Sequence, residues 1–167
     1  MLSLNDPRWA ELQHAYGSAA NVPALLRQAE SMPEYRSYKS EPYYTLCSSL
    51  CHQGSIYTAS YAAVPHLVEL VRTPDREFRW PLLTLVQAIE SARLDRIGPP
   101  MPDYLSEPYF EALRSVPAIA TRLLCGKLSE LECRAILAAC AAASGFGRLA
   151  EAIGDLSPET VEKLREL

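Results

Sequence analysis

Three Val-Pro steps, at Val22-Pro23, Val64-Pro65 and Val116-Pro117, constrain this chain more than any other feature. Proline lacks an amide hydrogen and its ring crowds the preceding turn, so it starts, kinks or ends a helix and is confined to the edges of sheets. A Val-Pro step that recurs in one apolar context therefore marks one point of a repeating unit. The contexts Asn21-Val22-Pro23-Ala24-Leu25-Leu26, Ala63-Val64-Pro65-His66-Leu67-Val68 and Ser115-Val116-Pro117-Ala118-Ile119-Ala120 align without gaps. They lie 42 and 52 residues apart, near the spacing of about 40–47 residues expected of stacked helical hairpins.

Helix signals fill the space between these steps. Asp6-Pro7 sets a capping acceptor before a proline at the first helical position, Ser129-Glu130-Leu131-Glu132 reads as a capping box, and Ser157-Pro158 opens a last helix. Phe78, Leu82, Leu85, Val86 and Ile89 follow a 3-4 spacing, with Arg79, Glu90 and Arg93 falling away from the stripe. Pro81 must then lie in a first turn or a kink. Cys133, Ile136, Leu137 and Cys140 form a second stripe, and Val161, Leu164 and Leu167 a third. No alternation of period two is long enough for a sheet. The segment 31–42 and Gly98-Pro99-Pro100-Met101-Pro102-Asp103 read as loops, the second as a semi-rigid proline spacer. Gly54, Gly126 and Gly145 are expected at helix ends. Ser40-Glu41-Pro42-Tyr43-Tyr44 is echoed by Ser106-Glu107-Pro108-Tyr109-Phe110, each an expected helix start. The expected fold is an all-α single domain of three hairpins, about 6–54, 56–97 and 106–145, with a C-terminal capping helix in 146–167.

Val64 to Ile97, with Val-Pro-His-Leu-Val-Glu-Leu-Val, then Asp75, then Phe78-Arg79 opening an apolar helix, resembles a HEAT repeat. The resemblance implies a kinked first helix and an acid and an arginine near the turn, here Asp75 and Arg79, that bond between neighbouring repeats. The third copy departs from it, having Ser129, Glu130 and Arg134 at the turn. The run from Ser48 to Leu67 is also similar to a segment of small bacterial HEAT-like proteins, some of which resemble immunity proteins of polymorphic toxin systems. The resemblance implies a short HEAT-like α-solenoid that neutralises a cognate toxin by occluding or distorting its active site.

Composition narrows the partners. A net charge of −4 disfavours a nucleic-acid binder, which needs a basic footprint. No run approaches the ~18 apolar residues of a membrane span, and 1–20 lacks an apolar secretory core. Five cysteines, at Cys47, Cys51, Cys125, Cys133 and Cys140, are no disulfide framework and are read as free thiols in a reducing cytoplasm. Cys47 and Cys51, at i and i+4, share a helix face and could fill two zinc positions with His52, but a fourth ligand is wanting, and apolar packing is the simpler role. A Cys51–His66 nucleophile would need an orienting acid and an oxyanion hole, and neither stands at a recognisable place. His14 is read as a solvent-facing helix residue, and His66 as capping a carbonyl freed by Pro65. The tail from Glu151 to Glu166, with five carboxylates against two basic residues, is read as a solvated face, its alternative being a surface for a cationic partner.

Six of nine tyrosines fall between Tyr35 and Tyr61. Tyrosine joins a large apolar area to a polar tip and suits interfaces. Tyr57 and Tyr61 are expected to pack between helices, while Tyr35 and Tyr38 lie on a polar loop, where contact residues concentrate. We take Tyr35, Tyr38, Tyr43, Tyr44, Arg79, Glu90, Arg93, Asp103 and Tyr104 as the expected protein-contact set, with no catalytic residue, metal or cofactor. The expected function is a protein-binding module, an immunity protein with a toxin partner. The alternatives are a regulatory or assembly scaffold and, further off, a HEAT-like DNA glycosylase, for which the charge balance is wrong.

Overall fold

The computed structural model describes residues 1–31, 34–72 and 80–165; Asp75, Phe78, Arg79 and Leu167 lie outside the described residues, as does the side chain of Leu164. Among the described residues eight α-helices dominate: α1 (Val22–Glu30), α2 (Tyr43–Leu50), α3 (Thr58–Arg72), α4 (Trp80–Leu94), α5 (Asp103–Leu124), α6 (Glu130–Ala143), α7 (Gly147–Asp155) and α8 (Pro158–Arg165). The chain is all-α in class. None of the described helices is long and apolar enough to cross a membrane.

The helices pack in two rows. In one, α3 lies between α1 and α5; in the other, α4 lies against α2, α6 and α7, and each of α1/α2, α3/α4 and α5/α6 is a contacting pair. The apolar faces meet between the rows. Val22, Val64 and Val116 are all at most 1 % exposed, so the valine of each Val-Pro step serves as a core residue. The prolines are not equivalent. Pro23 stands at the start of α1, where no hydrogen bond is lost, whereas Pro65 and Pro117 sit inside α3 and α5. The Ser-Glu-Pro echo divides likewise: Tyr43 opens α2, but Pro108 and Tyr109 lie within α5, whose first turn begins at Asp103. The first row is also linked along its length. Arg72 donates to Ser115 Oγ at 3.0 Å and Arg122 to the Val71 carbonyl at 3.3 Å, joining α3 to α5. Arg134 meets Glu130 one turn back on its own helix, at 3.6 Å.

Local chemistry sets the helix ends. Ser129 and Glu132 form the reciprocal capping box, Asp6 Oδ1 accepts the Arg8 amide at 2.9 Å, and Ser157 Oγ accepts the Thr160 amide at 3.1 Å. The Asp6 cap holds a single 3-10 turn, Pro7–Ala10, rather than a longer helix. Past α6, Gly145 takes φ +89° while its amide reaches Ala142 and that of Phe146 reaches Ala141, which satisfies the last carbonyls. The C-terminal unit divides in two: α7 packs on α4 and α6, but Pro158 to Lys163 of α8 are exposed.

Two small hairpins break the helical pattern. β1 (Gln13–His14) pairs antiparallel with β2 (Gly17–Ser18), and β3 (Cys51–His52) with β4 (Ser55–Ile56). His14 is therefore no solvent-facing helix residue. It is buried, its Nδ1 accepting the Tyr16 amide at 3.0 Å and its Nε2 donating to Asn21 Oδ1 at 3.0 Å. Gly54 is not a helix end either. With Gln53 at φ +49° and Gly54 at +78°, the pair makes the tight left-handed turn that a two-residue hairpin loop requires. The hairpins lean together, Tyr16 Oη standing 3.3 Å from His52 Nδ1.

The proline segment after α4 is packed rather than a spacer. Tyr61 of α3 donates its hydroxyl to the Pro99 carbonyl at 2.8 Å. Gly98, at φ +112°, presses so near β4 that an added Cβ would meet Ile56 Cγ1 at 2.6 Å and the Ile56 carbonyl oxygen at 2.9 Å. At the other end of the chain, His66 donates Nε2–H to the Leu2 carbonyl at 2.8 Å, tying the N-terminal segment to α3. It does not cap a carbonyl freed by Pro65, because the ring reaches outward to a different segment.

Two measurements check these contacts. Gly98→Ala combines left-handed strain with a backbone clash and is expected to cost more than about 2 kcal/mol in urea denaturation. Gly54→Ala, in open space at a similar φ, is expected to cost about 1 kcal/mol; equal losses would refute the role of the Ile56 contact. For His66, burial holds the imidazole below its ordinary value of 6.5, the Leu2 carbonyl opposing and the chain's amino terminus assisting. The unfolded chain then binds the proton more readily, so stability is full above 6.5 and is lost as pH falls through the lower folded value. His66→Gln is expected to lose less stability than wild type between pH 7 and pH 5; parallel slopes would sink the assignment.

Candidate functional site

One hydroxyl organises residues 34–42 into a turn that leads into α2. Ser40 Oγ accepts the amides of Arg36 at 2.9 Å and Ser37 at 3.0 Å, and the Ser40 carbonyl accepts the Tyr44 amide at 2.9 Å. This turn brings the four expected tyrosines to one place. Tyr35 meets Tyr43 edge to face, with centroids 5.8 Å apart, and Trp80 at 5.0 Å; Tyr38 meets Tyr44 at 6.4 Å. Such edge-to-face pairs are the favoured aromatic geometry. Together with Cys47, Pro81 and Thr84 they line an open groove of about 290 Å³. Tyr43 is its floor at 2 % exposure, while Tyr38 and Tyr44 are 68 % and 46 % exposed. Burial, then the neighbouring Cys47, raises the Tyr35 phenol above its usual range, so the ring stays uncharged near neutral pH. The Lys39 ammonium stands 5.5 Å over the Tyr38 ring at the rim.

A second hollow of about 410 Å³ adjoins the first. Thr84 lines both, and Cys51, Gln87 and Ala88 continue the wall to Glu151 and Asp155 of α7. The reason lies in α4. From Pro81 to Ala92 every residue is buried except Thr84 and Ala88, one turn apart, and these small side chains leave the helix open along a narrow strip. Helix α7 comes near because Gly147 has no side chain: a Cβ there would meet Leu94 at 3.2 Å.

The remaining expected contact residues are not gathered here. Glu90 and Arg93 are expected on an exposed face, but Glu90 is 2 % exposed. It accepts two bonds from Arg93 at 2.7 Å and one from the Tyr109 hydroxyl at 2.7 Å. A buried carboxylate needs such donors, so Glu90 is structural and not available to a partner. Arg93 is turned inward, its guanidinium 5.1 Å from the Phe110 ring. Asp103 and Tyr104 are exposed at the start of α5, with Arg8 stacked 4.9 Å from the Tyr104 ring, away from the groove. Arg79 lies outside the described residues. Sequence reasoning missed Trp80, Thr84 and the α7 carboxylates as parts of one surface, although it had noted the acidity of the tail.

The cysteines and histidines scatter. Cys47 lines the tyrosine groove, Cys51 the second hollow, and His52 meets Tyr16. Among the described residues no three His, Cys, Asp or Glu side chains are grouped to hold a metal ion. The groove offers apolar area, ring edges and phenol tips. Comparison with protein-family models, curated proteins and solved structures gives no match.

Burial pushes the Cys47 thiol up to about 12, with Cys51 adding to the effect. Only about one thiol in ten thousand would then be thiolate at pH 8. Iodoacetamide at pH 8, followed by peptide mass mapping, is expected to label exposed Cys125 well ahead of half-buried Cys47; faster labelling of Cys47 would contradict its packing role.

Proposed function

We propose that this chain is a protein-binding module, a short HEAT-like α-solenoid of three helical hairpins that acts as an immunity protein against a cognate bacterial toxin. The observation that carries the reading is the tyrosine groove: two exposed rings and two sheltered ones around an open apolar hollow, on the row of second helices. Two-row packing of paired helices supports the repeat architecture. Preformed aromatic hollows of this kind give protein partners an anchor point, and tyrosine is enriched among the residues that dominate interface energies. The resemblance of Ser48 to Leu67 to small HEAT-like immunity proteins supplies the toxin. Five free thiols fit a cytoplasmic site of action.

The test is co-expression with the C-terminal domain encoded by the neighbouring gene. The reading expects a growth defect from that domain, rescue by this chain, and co-purification of the two. Tyr38→Ala with Tyr44→Ala, both at exposed positions, is expected to weaken the complex by a factor on the order of a hundred, about 1–2 kcal/mol for each ring. A harmless neighbour that never associates with this chain would overturn the proposal.

A further inference from the structure

We infer that the partner presents an extended basic segment, seating an apolar side chain in the tyrosine groove and a lysine or arginine against Glu151 and Asp155. This rests on the protein-binding reading above and names the chemistry of what is bound.

The two hollows form one path. Thr84 lines both, and the only open strip of α4 between Pro81 and Ala92 is Thr84 and Ala88. From Trp80, at the aromatic end, to Ala88, beside the carboxylates, α4 rises about 12 Å. An extended chain covers that length in about four residues. A helix would be too broad for a strip one residue wide, with Thr84 and Ala88 as its floor.

The ends of the path differ in kind. The aromatic end is apolar and Lys39 already stands over the Tyr38 ring, so a second cation there meets like charge, whereas an apolar side chain does not. At the other end, Glu151 and Asp155 lie four residues apart on one face of α7 and line the hollow. Neither has an ion-pair or hydrogen-bond partner among the described residues. Among the described residues, no lysine or arginine lines either hollow. The buried Gln87 amide, bonded to Ser91 at 3.1 Å, completes a polar wall for a cation's hydrogen bonds. The excess of 20 acidic over 16 basic residues favours the same sign of partner at longer range. A phosphate backbone would meet these carboxylates with repulsion.

The test uses fluorescein-labelled decapeptides read by anisotropy at protein concentrations up to 1 mM. One carries a tryptophan and, four residues on, an Arg-Arg pair in a Gly-Ser background; one replaces the arginines by glutamates, and one the tryptophan by serine. The Trp/Arg peptide is expected to bind and to weaken as salt is raised from 50 to 500 mM. Glu151→Gln with Asp155→Asn should weaken it about threefold to tenfold, and Tyr44→Ala should reduce it to the level of the serine peptide. Both sites are exposed, and melting curves check that the variants fold. No binding of the Trp/Arg peptide, equal binding of the glutamate peptide, or indifference to the carboxylate change would each overturn the inference. So would blockage of the path by self-association of the chain, read by sedimentation. The outcome separates from that of the immunity reading. A toxin domain that co-purifies equally with wild type and the carboxylate variant preserves protein binding and removes this surface. A chain that binds no protein neighbour overturns the reading on which the inference stands.

Discussion

Glu90 is a carboxylate buried in the interior of α4, and what it needs ties α4 to α5. A charge removed from water must be met by donors at short range. Three are provided: two nitrogens of Arg93 one turn along the same helix, and the Tyr109 hydroxyl from α5. Tyr109 is itself buried, packed edge to face with Tyr61 of α3, whose hydroxyl reaches Pro99. The chain of contacts runs from α4 through α5 and α3 to the loop that rejoins them. Sliding α4 by one turn would keep Arg93 beside Glu90 but separate the carboxylate from the Tyr109 hydroxyl, leaving both buried groups short of a partner. The register of α4 against α5 is therefore set by chemistry as well as by shape.

The same helix explains where sequence reasoning succeeded and where it failed. Ends governed by neighbouring residues were legible: the Ser129 box and the Asp6 and Ser157 caps need only a few consecutive residues. Position within a helix was harder. Pro65 and Pro117 lie inside their helices because the helix extends well before the Val-Pro step, a fact that the step itself does not carry. Glu90 was assigned to an exposed face since it leaves the 3-4 stripe, but a helix contacted by α2, α3, α6 and α7 has scarcely any exposed face to offer. The hairpins were illegible for a different reason. Strands of two residues are too short to show alternation, and the Gln53-Gly54 turn looks like any helix end in isolation.

For the surface, density along the chain was informative where distance along the chain was small. Tyr35, Tyr38, Tyr43 and Tyr44 come from one stretch, and Ser40 folds that stretch upon itself, so their crowding in sequence became crowding in space. Trp80 and Thr84 arrive from α4 and the carboxylates from α7, more than a hundred residues beyond Tyr43. Only tertiary packing, including the close approach permitted by Gly147, joins these to the tyrosines.

Thr84 stands as a partition between the two hollows. It is half-buried, it lines two hollows of different character, and its neighbours along α4 carry the core contacts in its place. A position of this kind is a point of evolvability. Exchanging its side chain for a larger or smaller one alters the width of the passage, and with it the spacing between anchor and charge that a ligand must match, without disturbing the packing beneath. Selectivity among related partners could be retuned there by single substitutions, while the scaffold that presents the surface stays the same.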